Sequence, residues 1–243
     1  NKPTAEGVTV TKGEIVSGSG SESDPVIIGS DSAGAALAIS SATGGTTVHC
    51  TLTDTGTAES TQYNGNPITV PLPLNSDGEK TYKLEYYTDG EGFAATPVKT
   101  IYYKVVQGHT VIFDAHEGAY PDGAATVSKT ALHGTRISQP DPPPTRVGYG
   151  VTGWYKRADG SEAAWNFDTD TVTGDMTLYA KWTAGVSSYT VEHYQEKLDG
   201  TYPSSATETE SKTGATGQSA AYNSKTYEGF TYRSTLTEIN GVM

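Results

Sequence analysis

The side chains that could do chemistry in this chain are few and scattered. Its five histidines, His49, His109, His116, His133 and His193, include no H-x-x-x-H pair, the spacing that would set two imidazoles on one helix face for a metal. Cys50 is the one cysteine, so no cysteine-based zinc set and no internal disulfide framework can be built. It lies in TVHCTLT, a strand-like run, and reads as a small buried residue rather than a reactive thiol. Asp168, Asp170 and Asp175 in FDTDTVTGD come nearest to a calcium loop, but they lack the glycine at the sharp turn and the closing bidentate glutamate. The sequence holds no nucleophile elbow, P-loop or dinucleotide fingerprint. Glycoside hydrolysis needs two acids about 5–9.5 Å apart across a cleft, which small β-modules do not offer. No catalytic, metal or cofactor residue is therefore assigned, no cofactor is implied, and binding residues stay unassigned. One covalent option remains, a Lys–Asn isopeptide crosslink at a lysine such as Lys83 or Lys99, with loss of ammonia.

Aromatic side chains are the other candidates. Trp154, Trp165 and Trp182 fall within one stretch of the chain. A small module needs large buried side chains, each contributing about 1.5–3 kcal/mol, so these rings read as core ahead of a sugar-stacking platform. In Tyr86-Tyr87 and Tyr102-Tyr103 neighbouring side chains must point to opposite faces of a strand. One of each pair faces the core. The other either takes part in cross-strand aromatic pairing, the favoured reading, or stacks on a sugar.

The elements that must position these residues are strands. In 109–182, HTVIFDA alternates Val111 and Phe113 with Thr110, Ile112 and Asp114. EGAYPDG supplies a turn, and ATVSKTALHG alternates again, with Val127, Lys129 and Ala131 on one face. Four prolines make QPDPPPTRVGY an irregular crossing, with room for one short helical turn. VTGWYKR, AAWNFD and MTLYAKW read as the remaining strands. Upstream, GVTVTKGEIV, PVIIGS, AALAIS, TTVHCTLT, NPITVPL, KTYKLEYYT and TPVKTIYYKVV give about seven short strands without helical period, as in an immunoglobulin-like sandwich. SGSGSES reads as a mobile loop. Downstream, the middle pattern recurs: His109/Tyr189, Gly118/Gly200 and Gly148/Gly229 are offset by 80, 82 and 81 residues. TETESKTG should be a strand of this second copy. The copy is short: 33 residues follow Tyr149 up to Trp182, but only 13 follow Phe230. It should lack its closing strand and expose a sheet edge that is either poorly ordered or covered by a neighbouring molecule.

The fold class expected is thus mainly β. It comprises an immunoglobulin-like β-sandwich at 1–106, a small β-grasp-like module at 107–185, and a second one at 186–243 lacking its last strand. Short Gly/Ser-type joints at 107–108 and 183–188 would make a semi-rigid rod.

VIFDAHEGA, PTRVGYGVTGWY and NFDTDTVTGDMTLYAKW together resemble the Listeria–Bacteroides repeat, the internalin-B-type B repeat. That resemblance implies a β-grasp-like module repeated in tandem in bacterial surface proteins, and makes the Asp168–Asp175 run a turn before the last strand. His116-Glu117-Gly118 stands where the family usually has Asn-Gly-Gly, which changes a turn. Gly150-Val151 replaces Thr-Phe, which should remove a core ring. Val48–Val105, with its T-D-x-G-x-A turn at Thr53–Ala58 and YNGNPITV, is similar to the immunoglobulin-like module of chitobiase C-termini. Residues 189–243 resemble mucin-binding-protein-type repeats. Both resemblances imply accessory, surface-associated modules.

A formal charge of −12 and pI near 4.7 make nucleic acid and anionic membranes poor partners. No apolar run has the length of a membrane span. The sequence starts at Asn1 without initiator methionine or signal peptide, and reads as a piece of a longer polypeptide. Together these features predict a non-catalytic stalk and adhesion or ligand-presenting segment of a secreted or wall-attached bacterial protein. Its partners would be surface glycans or proteins and its own neighbouring modules. The alternative is the accessory tail of a secreted carbohydrate-active enzyme.

Overall fold

The computed structural model describes residues 6–232. Among these, every regular element is a strand: β1 (Glu6–Lys12), β2 (Glu14–Ser17), β3 (Val26–Ser30), β4 (Ala35–Ser41), β5 (Thr46–Asp54), β6 (Ser60–Gly65), β7 (Ile68–Leu72), β8 (Glu79–Gly90), β9 (Lys99–Asp114), β10 (Thr126–Leu132), β11 (Tyr149–Tyr155), β12 (Met176–Ala184), β13 (Val186–His193) and β14 (Glu208–Ala215). The mainly β class is what the alternation called for. The described chain divides into two compact units. One comprises 6–112, Ser128–Gln139 and Asn166–Met176, the other Phe113–Val127, Pro140–Trp165 and 177–232.

In the first unit two sheets share one core. The smaller sheet has the order β1-β4-β7. In the larger, β5 lies between β6 and β8, and β9 pairs β8 antiparallel and β3 in parallel. Period-two burial explains why. β5 turns Val48, Cys50 and Leu52 inward, β8 turns Tyr82, Leu84 and Tyr86, β4 turns Leu37 and Ile39, and β7 turns Ile68, Val70 and Leu72. Shifting any of these strands by one residue would present the polar set to the core. Pro71, which lacks an amide donor, is tolerated because β7 is an edge strand of the described sheet. The T-D-x-G-x-A turn is held by Asp54, whose carboxylate accepts from Gly56 N at 2.9 Å and pairs with Lys80 Nζ at 2.8 Å.

In the second unit β11 and β12 pair antiparallel, with Val151 opposite Trp182 and Tyr155 opposite Tyr179. Phe113 and Trp154 meet edge-on at 5.1 Å and 87°. They are buried with Ala115, Tyr120, Trp165, Leu178 and Ala180. β13 and β14 form a two-stranded ribbon with eight register pairs.

Several local expectations fail. Residues 107–108 are not a joint, since β9 runs unbroken through them. Gly108 instead allows close approach, because a Cβ there would stand 3.3 Å from Thr130. Of 183–188 only Gly185 lies outside a strand. SGSGSES is a stitched turn rather than a loose loop: Ser19 N and Gly20 N both donate to Asp24 O, Tyr102 N donates to Gly20 O, and a Cβ on Gly18 would sit 1.9 Å from Pro25 O. No helical turn forms in 139–149, and AAWNFD is not a strand. Asn166 and Asp170 close that run on themselves, with Asp170 N donating to Asn166 O and Asn166 N to Asp170 Oδ2. GVTVTKGEIV breaks at Gly13 into β1 and β2, and Ser60–Gly65 adds a strand, β6, not foreseen.

Truncating the 2 % exposed Trp154 would open a cavity behind Phe113. Trp154→Ala should lower stability by about 3–5 kcal/mol, read from urea unfolding followed by far-ultraviolet circular dichroism. A loss below 1 kcal/mol would contradict this packing.

Candidate ligand-presenting surfaces

The larger sheet of the first unit has an outward face, and on it one polar-aromatic group is assembled. β5 and β8 place His49 opposite Tyr87, and the rings stack at 4.8 Å and 17°. His49 Nδ1 lies 2.8 Å from Asn64 Oδ1 and Nε2 lies 2.7 Å from Asp89 Oδ1. A second outward pair follows along β8 and β9: Lys83 stands opposite Tyr102 and binds Glu85 at 2.8 Å. Such a face offers an aromatic ring beside fixed hydrogen-bonding groups, the chemistry used to hold a sugar.

The tyrosine pairs split as expected: Tyr86 and Tyr103 are buried while Tyr87 and Tyr102 are half-buried. Tyr82 stands opposite Tyr103 across β8 and β9, so part of the aromatic content is cross-strand pairing in the core. Burial pushes the Tyr103 hydroxyl up to about 12. Burial likewise pushes the Cys50 thiol up to about 12, leaving little thiolate at neutral pH.

A second surface surrounds the turn after β9 in the second unit. His116 and Glu117 adopt φ of 43° and 72°, the left-handed region where the resembled family has asparagine and glycine. An ordinary side chain there costs about 1–2 kcal/mol. The turn is held from several sides. Asp114 Oδ1 accepts from His116 N at 2.8 Å, and the Trp182 indole N–H donates to Ala115 O at 2.9 Å and His116 O at 2.8 Å. Glu117 pairs with Arg146 at 2.7 Å, and the Arg146 guanidinium lies 4.0 Å from the Tyr149 ring centre. Gly118 is required by close approach, as a Cβ would come within 2.4 Å of the Trp182 ring. Trp182 is thus half-buried and serves as a clamp; Trp154 and Trp165 are core. Gly150 and Val151 are both exposed, so the Gly-Val departure removes no core ring in this structure.

The other residues singled out from sequence do not converge. His109 Nε2 meets His133 Nδ1 at 3.0 Å, with Asp175 3.6 Å from His109 Nδ1. Gly78 makes room for the His133 ring. Asp175 also accepts from Thr110 N, Asp168 accepts through its backbone carbonyl from Arg136, and Asp170 caps its own turn. These acids therefore act as turn residues, as the resemblance implied. Among the described residues no three His, Cys, Asp or Glu side chains gather as a metal set. His193 Nε2 lies 3.4 Å from Glu210 without hydrogen-bond geometry. The His49–Tyr87 and His109–His133 pairs were not foreseen, because residues 38 and 24 positions apart meet only through long-range strand register.

With this geometry described, one comparison is decisive for the middle of the chain. Residues 109–181 match the Listeria-Bacteroides repeat domain. The repeat accounts for about a third of the chain. Over 136 residues the chain is 37% identical to an Evansella cellulosilytica protein provisionally named a Gly-rich membrane protein, an alignment covering 53% of this chain and 15% of that protein. A second protein of the same organism, provisionally named a membrane protein, is 33% identical over 138 residues, covering 54% of this chain and 19% of the relative. The chain thus spans less than a fifth of either relative. No helix of the described residues is long and apolar enough to cross a membrane.

Two outcomes follow from this geometry. Glu117→Gly should relieve the left-handed backbone and raise stability by about 1 kcal/mol, since the Glu117–Arg146 pair it removes is surface-exposed and contributes little. A urea midpoint that falls would show the ion pair outweighs the strain. The second concerns the charges beside β14. Hydrogen bonds from Lys225 and Lys212 hold the Glu210 carboxyl down to about 2, and Lys225 and Tyr227 lower that of Glu208. Depressed carboxylates stabilise above the unfolded value of 4.5 and lose that contribution as pH falls toward 2. Amide exchange around Lys225–Tyr227 should therefore quicken, beyond its intrinsic pH dependence, across that window. The effect should be smaller in high salt.

Proposed function

We propose that this chain is a non-catalytic, modular segment of a secreted or cell-surface bacterial protein, serving as a spacer that presents loops and sheet faces to ligands. The observation that carries the reading is the match of 109–181 to a repeat domain whose pattern recurs, at offsets of 80–82 residues, in 189–232. In this reading 1–106 is an immunoglobulin-like sandwich and 107–185 and 186–243 are β-grasp-like modules. The names of the two relatives support a membrane or surface setting, and the acidic charge favours protein or glycan partners over nucleic acid. Antibodies raised against 1–243 should label intact cells of the source organism, and protease treatment of those cells should remove the epitope. Labelling only after lysis would sink the reading.

The stacked His49–Tyr87 pair with Asn64 and Asp89 favours a second reading, the accessory tail of a carbohydrate-active enzyme. Binding on a glycan array that Tyr87→Ala weakens roughly tenfold, about 1.4 kcal/mol, would support it. An array without hits at millimolar concentrations would count against it.

A further inference from the structure

The two copies of the repeat pattern differ in what surrounds their first strand. In the 109–181 copy β9 is flanked by β10 and by β12. β12 delivers the fully buried Leu178 and Ala180, and Trp182 with its bonds to the turn carbonyls. In the second copy β13 stands for β9, and β14 for β10, whose first residues lie 82 apart at Thr126 and Glu208. β14 pairs one side of β13. Among the described residues the other side, where β12 would lie, has no strand. By the same offset the counterpart of β12 would begin near residue 257, past Met243.

An independent observation matches this vacancy. No residue between Lys181 and Tyr232 is buried. Of the thirteen exposed large hydrophobic side chains among the described residues, seven lie in this stretch: Val186, Tyr194, Leu198, Tyr202, Tyr222, Phe230 and Tyr232. An exposed apolar set beside an unpaired strand edge is what a missing core strand leaves behind.

We propose that the free edge of β13 is a strand-acceptor site, filled by a strand of the β12 class, Leu-x-Ala-x-Trp in pattern, from the polypeptide that continues past Met243. Main-chain hydrogen bonds along Val186–His193 would give affinity, and the alternate Leu, Ala and Trp positions would supply the core the copy lacks. The inference uses only the repeat relation and the described sheet, so it holds whether the segment is a stalk or an enzyme tail.

The test fuses a second copy of residues 174–184, through a flexible Gly/Ser linker, after Met243. Backbone amide exchange of 186–193 should slow by roughly tenfold or more relative to the 243-residue chain. The same fusion with L178D and W182S in the added strand should show no slowing. Three results would overturn the proposal: no slowing with the intact added strand; amides of 186–193 already as protected in the unfused chain as those of β5; or slowing that depends on protein concentration, which would make a second copy the occupant.

Discussion

Two strands paired as a ribbon have only each other's edges, and their apolar faces need a further element before they can be shielded from water. In the repeat that element is β12. Its alternation drives Leu178 and Ala180 inward against Phe113 and Trp154, which meet edge-on. The first unit meets the same need by stacking one sheet on another, with β4 and β7 contributing to the core that β5, β8 and β9 also line. In both units, long-range strand pairing precedes any buried interior. The loops and sheet faces that could meet a ligand are placed by that pairing.

The closing strand also governs backbone strain. Left-handed residues other than glycine persist only where surrounding structure over-determines them. The turn at His116 and Glu117 is such a place, and most of its restraint comes from β12 through the two indole hydrogen bonds of Trp182. The bare Gly118 beneath the ring completes the fit. A family position usually filled by glycine has here gained a carboxylate that reaches Arg146. The chain thus exchanges backbone ease for a charged, presented turn, held by a tryptophan clamp rather than by its own preferences.

Much of this was legible in the sequence, because period-two alternation is a local property. It located the strand cores, the inward member of each tyrosine pair, and the burial of Cys50, Trp154 and Trp165. What escaped was non-local or rested on composition. Gly108 looked like a joint because glycine often ends strands, whereas here its missing side chain admits Thr130. SGSGSES looked loose because small residues permit freedom, but Asp24 and Tyr102 remove it with specific hydrogen bonds. β6 carries STQYNG, too polar to announce itself as a strand, and forms because β5 has an edge to satisfy. The His49 and His109 pairs depend on register, which no local pattern encodes.

The second copy of the repeat shows that a shared strand pattern does not guarantee a shared core. β13 and β14 alternate as regularly as their counterparts, yet the half-buried face of the ribbon sets Val191 opposite Glu210 and Tyr189 opposite Lys212. Lys225 bridges Glu208 and Glu210, and the Tyr189 hydroxyl donates to Ala221 O. These contacts hold the segment after β14 against the ribbon by charge and hydrogen bond at the surface. Such pairs contribute little each and are screened by salt. Burial of a leucine or tryptophan contributes several-fold more and is barely affected by salt. The cohesion of the first copy therefore resides in β12, whereas that of the second, among the described residues, resides in ion pairs. The difference follows from which strand each copy has beside its first one.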